Sequence, residues 1–311
     1  MVKEKVFFIE ELTSYVEYLR LHGKRESTIG SYQESTRKLL HRFYSHGIRS
    51  LSEVKVADVY AAFEASVNKE GFRTAANSFL KYLFKKRLND ADLSLVIPKV
   101  PRAKPIPSIY SKSETERLIS CIDTSTMIGR RDYAVILLAL RLGMRTGDIL
   151  NLKVSDINHD GKTIEFVQAK TSVPHRLELL PEIEEALTAY LSVRMNPHGN
   201  EHVFLSTAAP FSPLSKAAVR VIVNKYIERA GIEAGHRRRG GHALRSTFAS
   251  ELAAENVPYD VIRKILGHES QESTRHYVKF DFEMLRKCAL ETPAPSGRLA
   301  EILCATTGGG V

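Results

Sequence analysis

The stretch from Ile97 to Ser108, IPKVPRAKPIPS, constrains this chain more than any other. Its four prolines, Pro98, Pro101, Pro105 and Pro107, lock φ and remove backbone donors, so no helix runs through it. It reads as an extended linker. Lys99, Arg102 and Lys104 sit among the prolines, which suits a linker that lies along a phosphate backbone. The 311 residues are therefore expected as two domains, 1–96 and 111–291, joined by a basic linker at 97–110 and followed by a tail at 292–311. With 43% hydrophobic and 26% charged residues, each part can build a real core.

The first part reads as four or five short amphipathic helices. Phe8, Ile9, Leu12, Tyr15, Val16 and Leu19 recur at helical spacing within 6–20, and Gly23 ends that run. Ser27 is the expected N-cap of the next helix, which Gly47 breaks. Val56, Val59, Tyr60 and Phe63 mark a third helix. Ala75, Phe79, Tyr82, Leu83 and Phe84 mark a fourth, over about 71–86. No strand pattern occurs here.

The second part changes character. Ser113 looks like an N-cap before acidic first-turn residues, and 132–142 is a strongly apolar helix at the centre of a second core. Residues 163–168 alternate, 170–174 make a turn and 176–180 alternate again, which predicts a hairpin or small meander. Helices resume at 182–194 and 215–230, and 298–304 reads as a short apolar-faced helix. The expected fold is mainly α with a small β-sheet.

The formal net charge of +9 favours a polyanionic partner, most simply nucleic acid. The longest apolar run, Ala134 to Leu140, is far too short to span a bilayer, and the N-terminus lacks the apolar core of a signal peptide. Cys121, Cys288 and Cys304 are odd in number and scattered, with neither a metal-ligand pair nor a disulfide framework. A reducing, cytoplasmic and nucleoid-associated location is expected.

The chemistry gathers between Gly241 and Phe280, where His242, Arg245, His268 and Tyr277 share one short segment. A packing tyrosine needs no such company; a tyrosine that attacks a phosphodiester does. Arg145 in LGMRTGDI and Lys170 in QAKTS precede them, so the order is Arg145, Lys170, His242, Arg245, His268, Tyr277.

In these motifs, with GHALRSTFAS, LGH at 266–268 and STRHY at 273–277, the sequence resembles the tyrosine recombinase (phage integrase) family, and in size its compact Xer-like members. The resemblance spans about residues 5–290. It implies a helical core-binding domain and a catalytic domain clamped around DNA. It also implies a 3′-phosphotyrosyl intermediate and strand exchange in a synaptic tetramer on inverted-repeat duplex DNA.

The roles follow from the chemistry. Two guanidiniums, Arg145 and Arg245, can grip the non-bridging oxygens of a five-coordinate phosphorus. Such preorganised donors are typically worth roughly 3–4 kcal/mol each where charge develops. Tyr277 is the nucleophile, and an unperturbed phenol needs help to attack. His242, three residues before Arg245 on a helix, assists proton transfer. Lys170, at a mobile hairpin tip, protonates the 5′-oxygen, and His268 hydrogen-bonds the phosphate. The family pattern has an acidic residue three places after the first arginine, and the resemblance implies that Asp148, at that position, orients the active-site groups. No metal, cofactor or ATP is expected, because cationic side chains carry the charge and the covalent ester conserves the bond energy.

The sequence departs from the family pattern at Ser246, where a second histidine is common, and at Gly241, where proline is common. Arg237, Arg238 and Arg239 read as a loop making extra phosphate contacts, with a plain solvated basic loop as the alternative. Lys24, Arg25, Ser27 and Thr28, and then Arg73, Thr74 and Asn77, resemble the family's DNA-facing elements, with Lys104 contributing from the linker. The rival readings are a type IB topoisomerase-like enzyme and a non-catalytic DNA-binding regulator. The target sequence, the biological role and any need for a partner recombinase or accessory protein stay open. The tail is expected to dock on a neighbouring subunit.

Overall fold

The computed structural model describes residues 7–100 and 108–267. The chain divides into two compact units between Lys104 and Pro105, inside the Pro-rich stretch. As expected, it is mainly helical with one small antiparallel sheet.

The first unit holds α1 (Ile9–Leu21), α2 (Glu26–Ser45), α3 (Val56–Glu64) and α4 (Lys69–Lys85). Their apolar faces meet in one core around Tyr15, Leu39, Phe43, Phe79 and Leu83. The start of α2 differs from expectation. Arg25, in extended backbone, occupies the cap position, and Ser27 lies inside the first turn. Glu26 is favoured at that positive helix end, and it accepts a 2.9 Å hydrogen bond from Arg20 Nε. The start of α4 also lies earlier, because Asn68 caps it through Gly71 N–H. Ile97 is buried in this core and Val100 packs against it, so the head of the Pro-rich stretch shares the packing of the helical unit.

The second unit begins with α5 (Lys112–Ser120). Its cap is Ser111 rather than Ser113: Ser111 Oγ accepts from Glu114 N–H, and the Glu114 carboxylate accepts from Ser111 N–H. Next comes α6 (Met127–Arg141), whose Ile136, Leu137 and Leu138 are completely buried. Then follow α7 (Thr146–Asn151), strands β1 (Ile157–Asn158), β2 (Thr163–Val167) and β3 (Pro174–Glu178), and helices α8 (Pro181–Leu191), α9 (Lys216–Arg229), α10 (Gly241–Ala254) and α11 (Tyr259–Leu266). The central helix α6 packs against α8, α9 and α10, which explains why every residue from Ala134 to Leu140 is buried.

The sheet order is β1-β2-β3, with Ile164 opposite Leu177 and Val167 opposite Pro174. Strand β1 is too short to show alternation, and the sequence reading missed it. Strand β3 begins at Pro174, where the turn was expected to end. A proline is tolerated as the first residue of an edge strand, where no ladder N–H is required. No helix among the described residues is long and apolar enough to cross a membrane.

One buried polar group fastens α6 to α9. Asp132, 1% exposed, accepts from Arg131 and from Tyr226 OH (3.1 Å), and Lys225 Nζ lies 3.3 Å away. Removing a buried acceptor strands its donors, so Asp132→Ala should cost on the order of 3–5 kcal/mol. Lys225 is only partly buried, with 40% of its side chain exposed, and Lys225→Ala should cost under about 1 kcal/mol. Denaturant midpoints for the two variants check this ordering.

Candidate active site

Arg145 and Arg245, a hundred residues apart, reach the same turn of the chain. Arg145 stands at the N-cap position of α7 in extended backbone (φ −69°, ψ 144°). Its Nη2 donates to Gly267 O at 2.8 Å. Its Nη1 is buried and has no hydrogen-bond partner among the described residues; Asp148 Oδ2 lies 3.8 Å away. Arg245, on the buried side of α10, is 4% exposed. Its Nη2 donates to Leu266 O at 2.7 Å and its Nη1 to Gly143 O. Two guanidiniums therefore converge on successive carbonyls at the C-terminus of α11. Carbonyls there have no helical partner, and the helix end carries partial negative charge, so cations are favoured.

Glycine at 267 satisfies two demands. Its φ of +60° is left-handed, and a Cβ there would lie 1.9 Å from Gln168 Nε2. Gln168, buried at the end of β2, thus packs directly on the backbone of this turn.

His242 begins α10 and keeps part of its surface in solvent. Partial desolvation, and after it the charges of Arg238, Arg245 and Lys170, hold its pKa below the ordinary 6.5. The shift favours the uncharged imidazole, the form able to accept a proton. Gly241 explains the departure from proline: a Cβ there would meet Thr146 Oγ1 at 2.4 Å, so the first turn of α10 rests on the first residue of α7. Ser246, the other departure, is buried and donates to His242 O at 2.8 Å.

Lys170 is exposed in the turn between β2 and β3. Asp148, 3% exposed, accepts from Ala169 N–H at 2.8 Å and so ties α7 to the residue beside Lys170. The tip is bonded within itself rather than loose. Thr171 Oγ1 donates to Gln168 Oε1, and Ser172 N–H donates to Gln168 O, each at 2.8 Å. The structure thus gathers Arg145, Asp148, Lys170, His242 and Arg245 around α7, α10, the hairpin turn and the end of α11. His268 and Tyr277 lie outside the described residues, as does Lys104.

Residues 109–284 match the phage integrase family. The chain belongs to the phage integrase family, the tyrosine recombinases. It is 30% identical over 294 residues to a putative integrase/recombinase, y4rA, of Sinorhizobium fredii, covering 91% of this chain and 71% of that one. It is 27% identical to the tyrosine recombinase XerC of Bacillus pumilus, covering 88% and 92%. Among solved structures it matches the XerH site-specific recombinase bound to a palindromic difH substrate. There the TM-score is 0.68 and the identity 22%, over 84% of this chain and 78% of that one. A lambda integrase (75–356) dimer bound to a COC′ core site gives a TM-score of 0.69 at 18% identity, covering 87% and 95%.

Within this tyrosine recombinase the basic loop before α10 divides its labour. Arg237 is engaged within the second unit. It grips Glu114 with both terminal nitrogens (2.8 and 2.7 Å), donates to Ile109 O and stacks 4.5 Å over the Tyr110 ring. The guanidinium holds the Glu114 carboxyl down at about 2. Arg239 leans toward Glu228 and Asn224. Arg238 is exposed, and its guanidinium has no partner among the described residues. Its backbone is held at both ends: its N–H donates to Ser108 Oγ and its carbonyl accepts from Tyr110 OH.

In the helical unit, Lys24, Arg25 and Ser27 are exposed and Thr28 is half-buried at the start of α2. Thr74 is exposed on α4, with its hydroxyl on Glu70 O, and Arg73 is half-buried. Asn77 is half-buried, and its amide donates to Ser94 O at 3.1 Å and fastens α4 to the following 3₁₀ turn.

The sequence reading missed His175. Its Nε2 lies 2.9 Å from Ile265 O, and since a carbonyl only accepts, Nε2 carries the proton. Burial pushes its pKa down. A signal was present: period-two alternation puts residue 175 on the face of Leu177, which is buried.

The charge around His242 is checkable by NMR titration. Its midpoint should lie below 6.5, and Arg238→Ala should move it upward, because one of the cations that disfavour imidazolium is gone.

Proposed function

We propose that this tyrosine recombinase is a site-specific enzyme that cleaves and rejoins duplex DNA through a 3′-phosphotyrosyl intermediate. The observation that carries the reading is the convergence of Arg145 and Arg245 on one turn, with Arg145 Nη1 buried and lacking a hydrogen-bond acceptor among the described residues. A buried cationic donor held in this way is ready for an anion such as a phosphate oxygen.

The Tyr277 oxygen attacks phosphorus, forming the tyrosyl P–O bond and breaking the bond to the 5′-oxygen. Neutral His242 receives the phenolic proton. Lys170 supplies a proton to the departing 5′-oxygen. Arg145, Arg245 and His268 hold the non-bridging oxygens as charge develops on them. Asp148 positions Arg145 and the Lys170 turn together. Attack by a 5′-hydroxyl on the phosphotyrosine reverses the sequence and rejoins the strand.

Duplex DNA carrying an inverted repeat is the proposed substrate, in keeping with the palindromic site borne by the XerH relative. The helical unit, residues 1–96, would approach it through Lys24, Arg25, Ser27, Thr28, Arg73 and Thr74, with Lys104 following from the linker and Arg238 from the second unit. Residues 111–291 would form the catalytic domain of a subunit that exchanges strands as a tetramer, the tail 292–311 reaching a neighbour.

The test uses a nicked duplex of the sequence the protein selects from a random pool. Tyr277→Phe should bind it and form no covalent adduct; an adduct that survives the substitution overturns the reading. Arg145→Ala should slow adduct formation by about 10²–10³-fold. Lys170→Ala should slow it on an ordinary phosphodiester and recover on a 5′-bridging phosphorothiolate, whose thiolate leaves without a proton. Failure of that recovery removes Lys170 from the acid role. Cleavage that needs no inverted repeat would favour a topoisomerase-like activity instead.

A further inference from the structure

Three side chains from three separate elements donate to three successive carbonyls at the end of α11. His175 of β3 reaches Ile265 O at 2.9 Å, Arg245 of α10 reaches Leu266 O at 2.7 Å, and Arg145 before α7 reaches Gly267 O at 2.8 Å. The two arginines have a proposed role at the phosphate. His175 has none, yet it completes the set.

Its position in the sheet gives it one. The turn bearing Lys170 is bounded by two strands. On the β2 side, Asp148 holds Ala169 N–H and Gln168 packs on the Gly267 backbone. On the β3 side, in that short strand, His175 is the residue that hydrogen-bonds to the end of α11. Edge-to-face packing against Phe166, its cross-strand partner, fixes the ring (5.6 Å between centroids, 82°). Through this contact the hairpin and the two arginines share one reference point, the last turn of α11.

We propose that His175 is a positioning residue for the acid step: by anchoring β3 to Ile265 O, it holds the hairpin where Lys170 can reach the leaving oxygen. The inference rests on the acid role of Lys170 stated above. A general acid must come within hydrogen-bond reach of the atom it protonates, and a misplacement of about 1 Å can cost about 10²-fold in rate.

The experiment measures single-turnover adduct formation by the full chain on two nicked duplexes of the selected sequence. One carries an ordinary phosphodiester at the cleavage position and the other a 5′-bridging phosphorothiolate. His175→Leu should lose about 10²-fold on the phosphodiester and run close to the parent on the phosphorothiolate, with DNA affinity unchanged. His175→Gln, whose Nε2 can donate to the same carbonyl, should restore most of the phosphodiester rate. An equal loss on both substrates, or no loss on either, overturns the proposal. So does a failure of the glutamine variant to recover while its melting temperature matches the parent.

Lys170→Ala in parallel separates the two claims. If Lys170→Ala recovers on the phosphorothiolate and His175→Leu does not, the positioning role fails and the acid role stands. If Lys170→Ala itself does not recover, the acid role fails, and the positioning role with it.

Discussion

The C-terminus of α11 is the point on which the second unit depends. A helix end leaves carbonyls without helical partners, and water or a cap must satisfy them. Here His175, Arg245 and Arg145 do so from three directions. Each donor would be costly to bury unpaired, and each acceptor would be costly to bury unmet. The arrangement therefore draws β3, α10 and the start of α7 to one place. Gly267 makes it feasible, because its missing Cβ leaves room for Gln168 and permits the left-handed turn.

The basic loop before α10 shows why a run of like charges should not be read as one feature. Arg237 is committed to Glu114 and Tyr110, Arg239 turns to Glu228, and Arg238 faces solvent. The depressed Glu114 carboxyl makes the first of these a stability element. Its contribution is complete above the unfolded value of 4.5 and is lost as pH falls toward about 2. The same strut and two neighbouring hydrogen bonds pin residues 108–110 to the segment leading into α10. The exit of the Pro-rich stretch is thus tied to the backbone from which Arg238 and His242 project.

Much of the fold was legible because its causes are local. Apolar spacing marked the helices of the first unit, the all-apolar run marked α6, and alternation marked β2. The errors were local too. Ser27 and Ser113 have the chemistry of caps, but the acidic residue beside each, Glu26 or Glu114, takes a first-turn position in a helix that starts earlier. Strand β1 is too short for periodicity to register. Asn77 and Arg237 also have intramolecular partners that local patterning does not reveal: Ser94 O for the first, Glu114 for the second.

By itself the sequence determined the order and identity of the polar set from Arg145 to Tyr277. It also determined the helical character of both units, the break at the prolines and the family to which the chain belongs. Those properties reside in residue type and spacing along the chain. Tertiary structure alone decided which of three neighbouring arginines has a guanidinium without a partner among the described residues, and that Asp148 serves Ala169 as well as Arg145. It also decided that His175 joins the set. Each of these is a pairing across 20 to 125 residues, set by which carbonyls and carboxylates the packing leaves in need of a partner.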